Sequence, residues 1–309
     1  MRMIATLLAE EIVVLFVMMA CGILIVRLGL LKSPDSKVLS ILCVYLILPC
    51  TFLKAFLISY SPEIANGFLL AVIASLAIHC ILFAIVALIS KPLRLTGLEK
   101  ASLIYSNAGN LIIPLVTNVL GPQWVIYSSA FVLVQLFFLW THGLCLVRES
   151  KGFAWKEIFT NCNLIAACIG LVVFLTHLTL PNLVTRVLGN MSATVGPISM
   201  LMIGMVLGGM NWKEALSCKR TYLMVALKMV ALPFVVVSAI KYSPLGTLHP
   251  EGSTILLISL LASISPTATT VSQMAQLYGA DSKYASTINM MTTLAALVTM
   301  PLMVLYYLA

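Results

Sequence analysis

Between residues 8 and 308 the chain passes through ten apolar stretches, and the short connectors between them hold almost all of its charge. The stretches run approximately over 8–28, 37–58, 66–90, 98–120, 124–147, 161–180, 190–210, 220–241, 253–278 and 282–308. A helix needs about 20 apolar residues to cross the hydrocarbon of a bilayer. No water is present there to satisfy backbone N–H and C=O groups, so an open sheet is excluded and each stretch is expected to be helical. Composition agrees: 61% of the 309 residues are hydrophobic and 9% are charged, with a mean hydropathy of +1.09. A soluble domain carries about 25% charged residues. The expected fold class is therefore an all-α membrane protein of ten transmembrane helices in one integral membrane domain.

The net charge of +8 would suit nucleic acid if it were concentrated, but it is dispersed through the connectors. No nucleic-acid partner is expected; the lipid bilayer is. Of the 18 Lys and Arg residues, thirteen fall in odd-numbered connectors, as with Arg27, Lys91, Lys151, Lys156, Lys213 and Lys283. Arg2, Lys54, Arg186 and Lys241 lie on the other side, and Lys228 alone lies inside a span. Positive charge stays inside. Both termini are accordingly expected on the extracytoplasmic face of the cell (plasma or inner) membrane. The eight cysteines form no CxxC pair and no metal-ligand spacing with histidine, so neither a metal nor a cofactor is expected. No small-residue cleavage site follows the first apolar run, which reads as a retained helix.

The two halves repeat a pattern. Glu99 precedes Pro114 by the same interval as Glu251 precedes Pro266. Ser36-Lys37-Val38-Leu39 before Pro49 corresponds to Thr185-Arg186-Val187-Leu188 before Pro197, and Gly121 with Tyr127-Ser128-Ser129 to Gly279 with Tyr284-Ala285-Ser286. These matches occur in one order and predict a five-helix unit used twice, over 1–150 and 151–309. Five is odd, so the second copy enters the membrane from the opposite side, giving the inverted repeat common among secondary transporters.

The fourth span contains Ser106-Asn107-Ala108-Gly109-Asn110 followed by Pro114; the ninth contains Ser263-Ile264-Ser265-Pro266-Thr267-Ala268-Thr269. Proline removes a backbone donor and clashes with the preceding turn, at about 3 kcal/mol in a helix interior. In lipid such damage persists where protein or a watery cavity satisfies the freed groups. Broken helices at matching places in two repeats are the best sequence pointer to a substrate site. Half-helix N-termini carry partial positive charge and suit a carboxylate. Candidate binding residues are Asn107, Gly109, Asn110, Pro114, Ser265, Pro266, Thr267 and Thr269. The plainer alternative is a pair of kinked helices whose Ser and Thr bond back to carbonyls.

The run SNAGNLIIPL, the later SISPTATT with QLYGAD, the Gly22 to Arg27-Leu-Gly-Leu-Leu end of the first span, Leu46-Ile-Leu-Pro49 and Leu227-Lys228 before Pro233 resemble the auxin efflux carrier family. Its bacterial members include malate, malonate and other dicarboxylate permeases. The resemblance covers almost the whole chain. It implies a scaffold with a moving transport part and a site where helices 4 and 9 cross, carried here by Asn107, Asn110, Pro114, Ser265, Pro266 and Thr267. The long loop of the plant carriers between helices 5 and 6 is absent, since residues 148–160 make only a short connector. That departure puts auxin as substrate, and regulation through the loop, in doubt.

Lys228, deep in a span, is a candidate for balancing substrate charge or for coupling, against snorkelling to the interface. His79 is a candidate proton carrier, against a neutral histidine bonded between helices. Gln135 and Asn289 read as cross-helix bonds, and Asp281 as a helix cap. Neither crossover run, 106–114 nor 263–270, contains Asp or Glu, which favours an anion as substrate and leaves coupling to H⁺ or Na⁺ open. No paired aspartates, HExxH or activated nucleophile supports an enzyme. The expected function is transport of a small organic anion, a mono- or dicarboxylate. A bile-acid- or arsenite-type transporter and a non-transporting receptor are the rivals, and assembly as a homodimer is open.

Overall fold

Helix accounts for nearly all regular structure in the computed structural model, which describes residues 2–148, 159–210, 213 and 217–309. The helices are α1 (Arg2–Arg27), α2 (Ser33–Ala55), α3 (Pro62–Ser90), α4 (Gly97–Ile104), α5 (Ala108–Val119), α6 (Pro122–Arg148), α7 (Cys162–Leu175), α8 (Asn182–Gly208), α9 (Lys219–Lys241), α10 (Gly252–Ile264), α11 (Thr269–Leu277) and α12 (Ser282–Leu308). Six of them, α2, α3, α6, α8, α9 and α12, are long and apolar enough to cross a membrane. The expected fourth and ninth spans are each divided in two, as α4–α5 and α10–α11, which is why neither meets that length. The fifth connector, with Lys151 and Lys156, lies outside the described residues, and so does the expected boundary between repeats.

The chain forms two compact units, each discontinuous in sequence. The first takes in Met1–Ala65, Gly109–Ser129 and Phe159–Lys213; the second takes in Asn66–Ala108, Ala130–Ile158 and Glu214–Ala309.

In the first unit α1 lies against the second half of α8. Three glycines permit the approach. A Cβ at Gly204 would fall on the Met19 carbonyl oxygen and 2.9 Å from the Gly22 Cα, and one at Gly208 would sit 2.9 Å from the Ile23 carbonyl oxygen. Small residues four apart bring membrane helices together in this way. Phe56 at the end of α2 packs in the same fashion over Gly170 of α7, and Pro114 of α5 over Gly196 of α8.

In the second unit α10 is the core element. From Ile255 to Ile264 every residue is buried, as befits a helix apolar all round. Long α3 has the other kind of apolar surface: Leu69, Ile73, Leu76 and Leu88 are exposed, an outward face suited to lipid.

Three of the prolines inside helices are preceded by a wider turn. Residues Cys43–Ile47, Ala108–Ile112 and Leu227–Ala231 are π-helical, and Pro49, Pro114 and Pro233 each follow the last π residue by two positions. An α-helical carbonyl four residues back would clash with the proline ring. The i→i+5 turn holds one extra residue and relieves that clash without ending the helix.

Candidate functional site

α4 stops at Ile104 although the sequence around it is apolar, because Tyr105 turns extended (φ −90°, ψ 133°). α10 stops likewise at Ser265 (φ −68°, ψ 161°), immediately before Pro266, a residue that cannot donate to the preceding turn. The two extended segments, both in the second unit, meet in an antiparallel bridge between Ser106 and Thr267. Asn107 N–H donates to the Pro266 carbonyl at 2.7 Å and Ala268 N–H to the Tyr105 carbonyl at 3.1 Å. Ser106 and Thr267 form the pair that does not bond to itself, so their own N–H and C=O groups point outward.

Those outward groups are met by side chains of the next long helices. Gln135 of α6 accepts from Ser106 N–H at 3.0 Å and donates to the Ser106 carbonyl at 2.8 Å. Thr292 of α12 accepts from Thr267 N–H at 3.2 Å, and Asn289 Nδ2 donates to the Thr267 carbonyl. Carbonyls orphaned at the ends of α4 and α10 are met as well. Thr267 Oγ1 donates to the Ser102 carbonyl at 2.9 Å, Lys228 Nζ to that of Leu103 at 3.1 Å, and Ser265 Oγ to that of Ala262 at 2.9 Å. With Ser106 Oγ also donating to the Ala262 carbonyl at 2.7 Å, seven side chains supply bonds that low-dielectric surroundings demand of a broken backbone.

This arrangement sorts the sequence candidates. Asn107, Ser265, Pro266 and Thr267 lie together at the bridge, all buried, with half-buried Thr269 opening α11 behind Ala268. The hydroxyl hydrogens of Ser265 and Thr267 are committed to carbonyls, so these two residues hold the break in shape. Gly109, Asn110 and Pro114 belong to the first unit. There Asn110 Oδ1 accepts from Ser199 Oγ at 3.4 Å and, more weakly, from Cys43 Sγ at 3.6 Å. Pro114 lies seven residues beyond the break and not in it, since the π-turn Ala108–Ile112 takes up its steric demand.

Lys228 is 2% exposed and does not snorkel; its bond to Leu103 is its partner among the described residues. His79 is fully buried and donates from Nδ1 to the Ser75 carbonyl of its own helix at 2.7 Å, against the rings of Phe131 and Phe138. Among the described residues its Nε2 has no hydrogen-bond partner. The expected bond between helices is thus replaced by one within α3. Asp281 caps α12 as expected, accepting from Tyr284 N–H at 2.9 Å.

Two features were not singled out from the sequence. Glu99 forms a capping box with Thr96 and an ion pair with Arg220 at 2.7 Å, and also accepts from Tyr284 at 2.9 Å. The signal for the box, Thr followed three residues later by Glu, is present at Thr96-Gly-Leu-Glu99. In the first unit a cavity of about 260 Å³ is lined by Phe56, Tyr60, Phe174, His177 and Thr185 among others. It includes none of the candidate residues.

No curated protein matches the chain. The family of membrane transport proteins matches it over residues 7–153 and 146–304. The apolar helices and this match make the chain an integral membrane protein. With both broken helices inside the matched segments, the chain belongs to this family of membrane transport proteins, the auxin efflux carriers.

Proposed function

We propose that this chain is a secondary transporter carrying a small organic anion, a mono- or dicarboxylate, across the cytoplasmic membrane by alternating access. The observation that carries the reading is the bridged pair of interrupted helices, with buried Lys228 bonded beside it. Residues 100–148 and 252–280 contain no Asp or Glu. A site with helix N-termini, amide donors and a lysine but no carboxylate favours an anion. α11 begins behind Ala268, whose methyl group cannot cap, and a bound carboxylate would take the place of the cap. On this reading the chain is two inverted five-helix repeats, 1–150 and 151–309, with spans four and nine crossing at their breaks. Ser265, Pro266 and Thr267 hold the backbone open, and Asn107 and Thr269 supply donors.

Removing one hydrogen bond to a charged group costs about 1.5–3 kcal/mol, or roughly 10- to 150-fold in affinity. Asn107→Ala and Thr269→Ala are each expected to weaken carboxylate binding by that amount, measured by thermal-shift titration of purified protein with malonate, malate and lactate. Ser75→Ala is expected to leave it unchanged, because that hydroxyl bonds to the Ala71 carbonyl of its own helix, at 2.6 Å. Wild-type affinity in both Asn107→Ala and Thr269→Ala would place the site elsewhere.

Orientation has its own test. In a cysteine-free background, a cysteine at Lys32 is expected to react with an impermeant maleimide only from the cytoplasmic side, and one after Ala309 only from outside. The reverse pattern would overturn the topology and the inverted repeat with it.

A further inference from the structure

The helix end that Lys228 closes could have been closed by a neutral group. One residue earlier the equivalent carbonyl, that of Ser102, accepts from a threonine hydroxyl. The Leu103 carbonyl would ordinarily accept from Asn107 N–H, which is bonded to Pro266 instead, and an amine takes its place. Burying an ammonium without a carboxylate is costly. Among the described residues, none of the titratable groups on the elements around it is an available counter-charge. On α4, Glu99 is held by Arg220 at 2.7 and 3.0 Å, by Tyr284 and by Thr96 N–H, and Lys100 has the same sign as Lys228. On α12 there are Lys283, Tyr284, Tyr306 and Tyr307. From α3 comes His79, within electrostatic reach of Lys228. At the end of α4, Tyr105 is bonded to the Phe138 carbonyl and to His142, both at 2.9 Å.

The partner chosen is also informative. A carbonyl accepts from an ammonium and from a neutral amine alike, so the bond to Leu103, and the break it closes, survives loss of the proton. A lysine paired with a carboxylate would not have that freedom.

We infer that Lys228 is the binding site of a co-transported proton, so that the anion crosses together with H⁺ and without Na⁺. The inference rests on the reading of the chain as an organic-anion carrier. Lys228 takes a proton from water on the loading side, and the carboxylate that enters supplies the missing negative charge. After the anion leaves, the proton passes to water on the release side. The neutral amine, still bonded to Leu103, lets the emptied protein return.

The test uses the full chain in liposomes with radiolabelled malonate, malate and lactate. Wild-type protein is expected to exchange at least one of these across the membrane, to accumulate it when the outside is made acidic, and to gain nothing from an inward Na⁺ gradient. Lys228→Gln is expected to lose acid-driven accumulation while remaining monodisperse in detergent. Lys228→Arg, which stays charged, is expected to keep exchange and lose accumulation. Na⁺-driven accumulation by the wild type, or acid-driven accumulation by Lys228→Gln, overturns the inference, and neither result requires the arginine variant to fold. If the wild type exchanges none of the three probes, the anion reading itself fails.

Discussion

Gln135→Leu is expected to destabilise the second unit strongly. The side chain is 4% exposed and is the partner of both the N–H and the C=O of Ser106. Leucine fills a similar volume and supplies neither bond. Each buried backbone group left unmet costs about 1–3 kcal/mol, so the pair costs about 2–6 kcal/mol. Water cannot make up the loss where the surroundings are apolar. Asn289→Leu removes only the bond to the Thr267 carbonyl, since Thr292 still serves the N–H, and its cost should be about half as large. Thermal unfolding in mild detergent should therefore rank wild type above Asn289→Leu and Asn289→Leu above Gln135→Leu. A midpoint for Gln135→Leu equal to that of the wild type would show that the broken backbone is satisfied in some other way.

In the first unit the corresponding weak point is Gly204. Its missing side chain lets α1 and α8 touch backbone to backbone, and an added Cβ would meet the Met19 carbonyl oxygen and the Gly22 Cα. Neither obstacle can rotate away. Overpacking typically costs 1–3 kcal/mol, and more where no side chain can yield; Gly204→Ala is expected at about 3 kcal/mol or above. Gly29 provides the contrast. It has φ +75° but nothing within 4 Å of an added Cβ, so alanine there meets only the left-handed backbone penalty of about 1 kcal/mol. The same thermal measurement should separate the two variants clearly. If Gly29→Ala proves the worse, close helix approach is not what holds this unit together.

The helical, membrane-spanning character was legible because lipid leaves hydropathy few alternatives, and the Asp281 cap falls where the residues place it. The second break was legible too, since Pro266 lies inside it. The first lies at the Ser106–Asn107 start of the run picked out in the sequence, seven residues ahead of its proline. Pro114 marked it in the sequence, but a helix can absorb a proline by adding one residue to the turn before it, and nothing in the local sequence reveals that choice. The partners of the break were hidden for a different reason. Gln135 and Ser106 are 29 residues apart, and Thr267 and Ser102 are 165 apart. A polar residue in a span announces that it needs a partner without naming it. The hydroxyls of Ser265 and Thr267 bond to the Ala262 and Ser102 carbonyls, partners that the sequence did not name. Lys228 stood out as an ionisable residue inside a span, but its depth alone left snorkelling open; only the Leu103 carbonyl decides against it.

The wider turns before Pro49, Pro114 and Pro233 bear on how these helices present their faces. At 3.6 residues per turn one additional residue amounts to about 100° of rotation, enough to turn a buried stripe away from its neighbours. Across Cys43–Ile47 that does not happen: Leu42 and Leu46 are exposed, while Cys43 and Ile47 are buried. Across Leu227–Ala231, buried Met224 and Lys228 are likewise followed by buried Leu232 and Val236. The added residue is taken up within the turn itself, so a rod that carries a proline keeps one side inward before and after it.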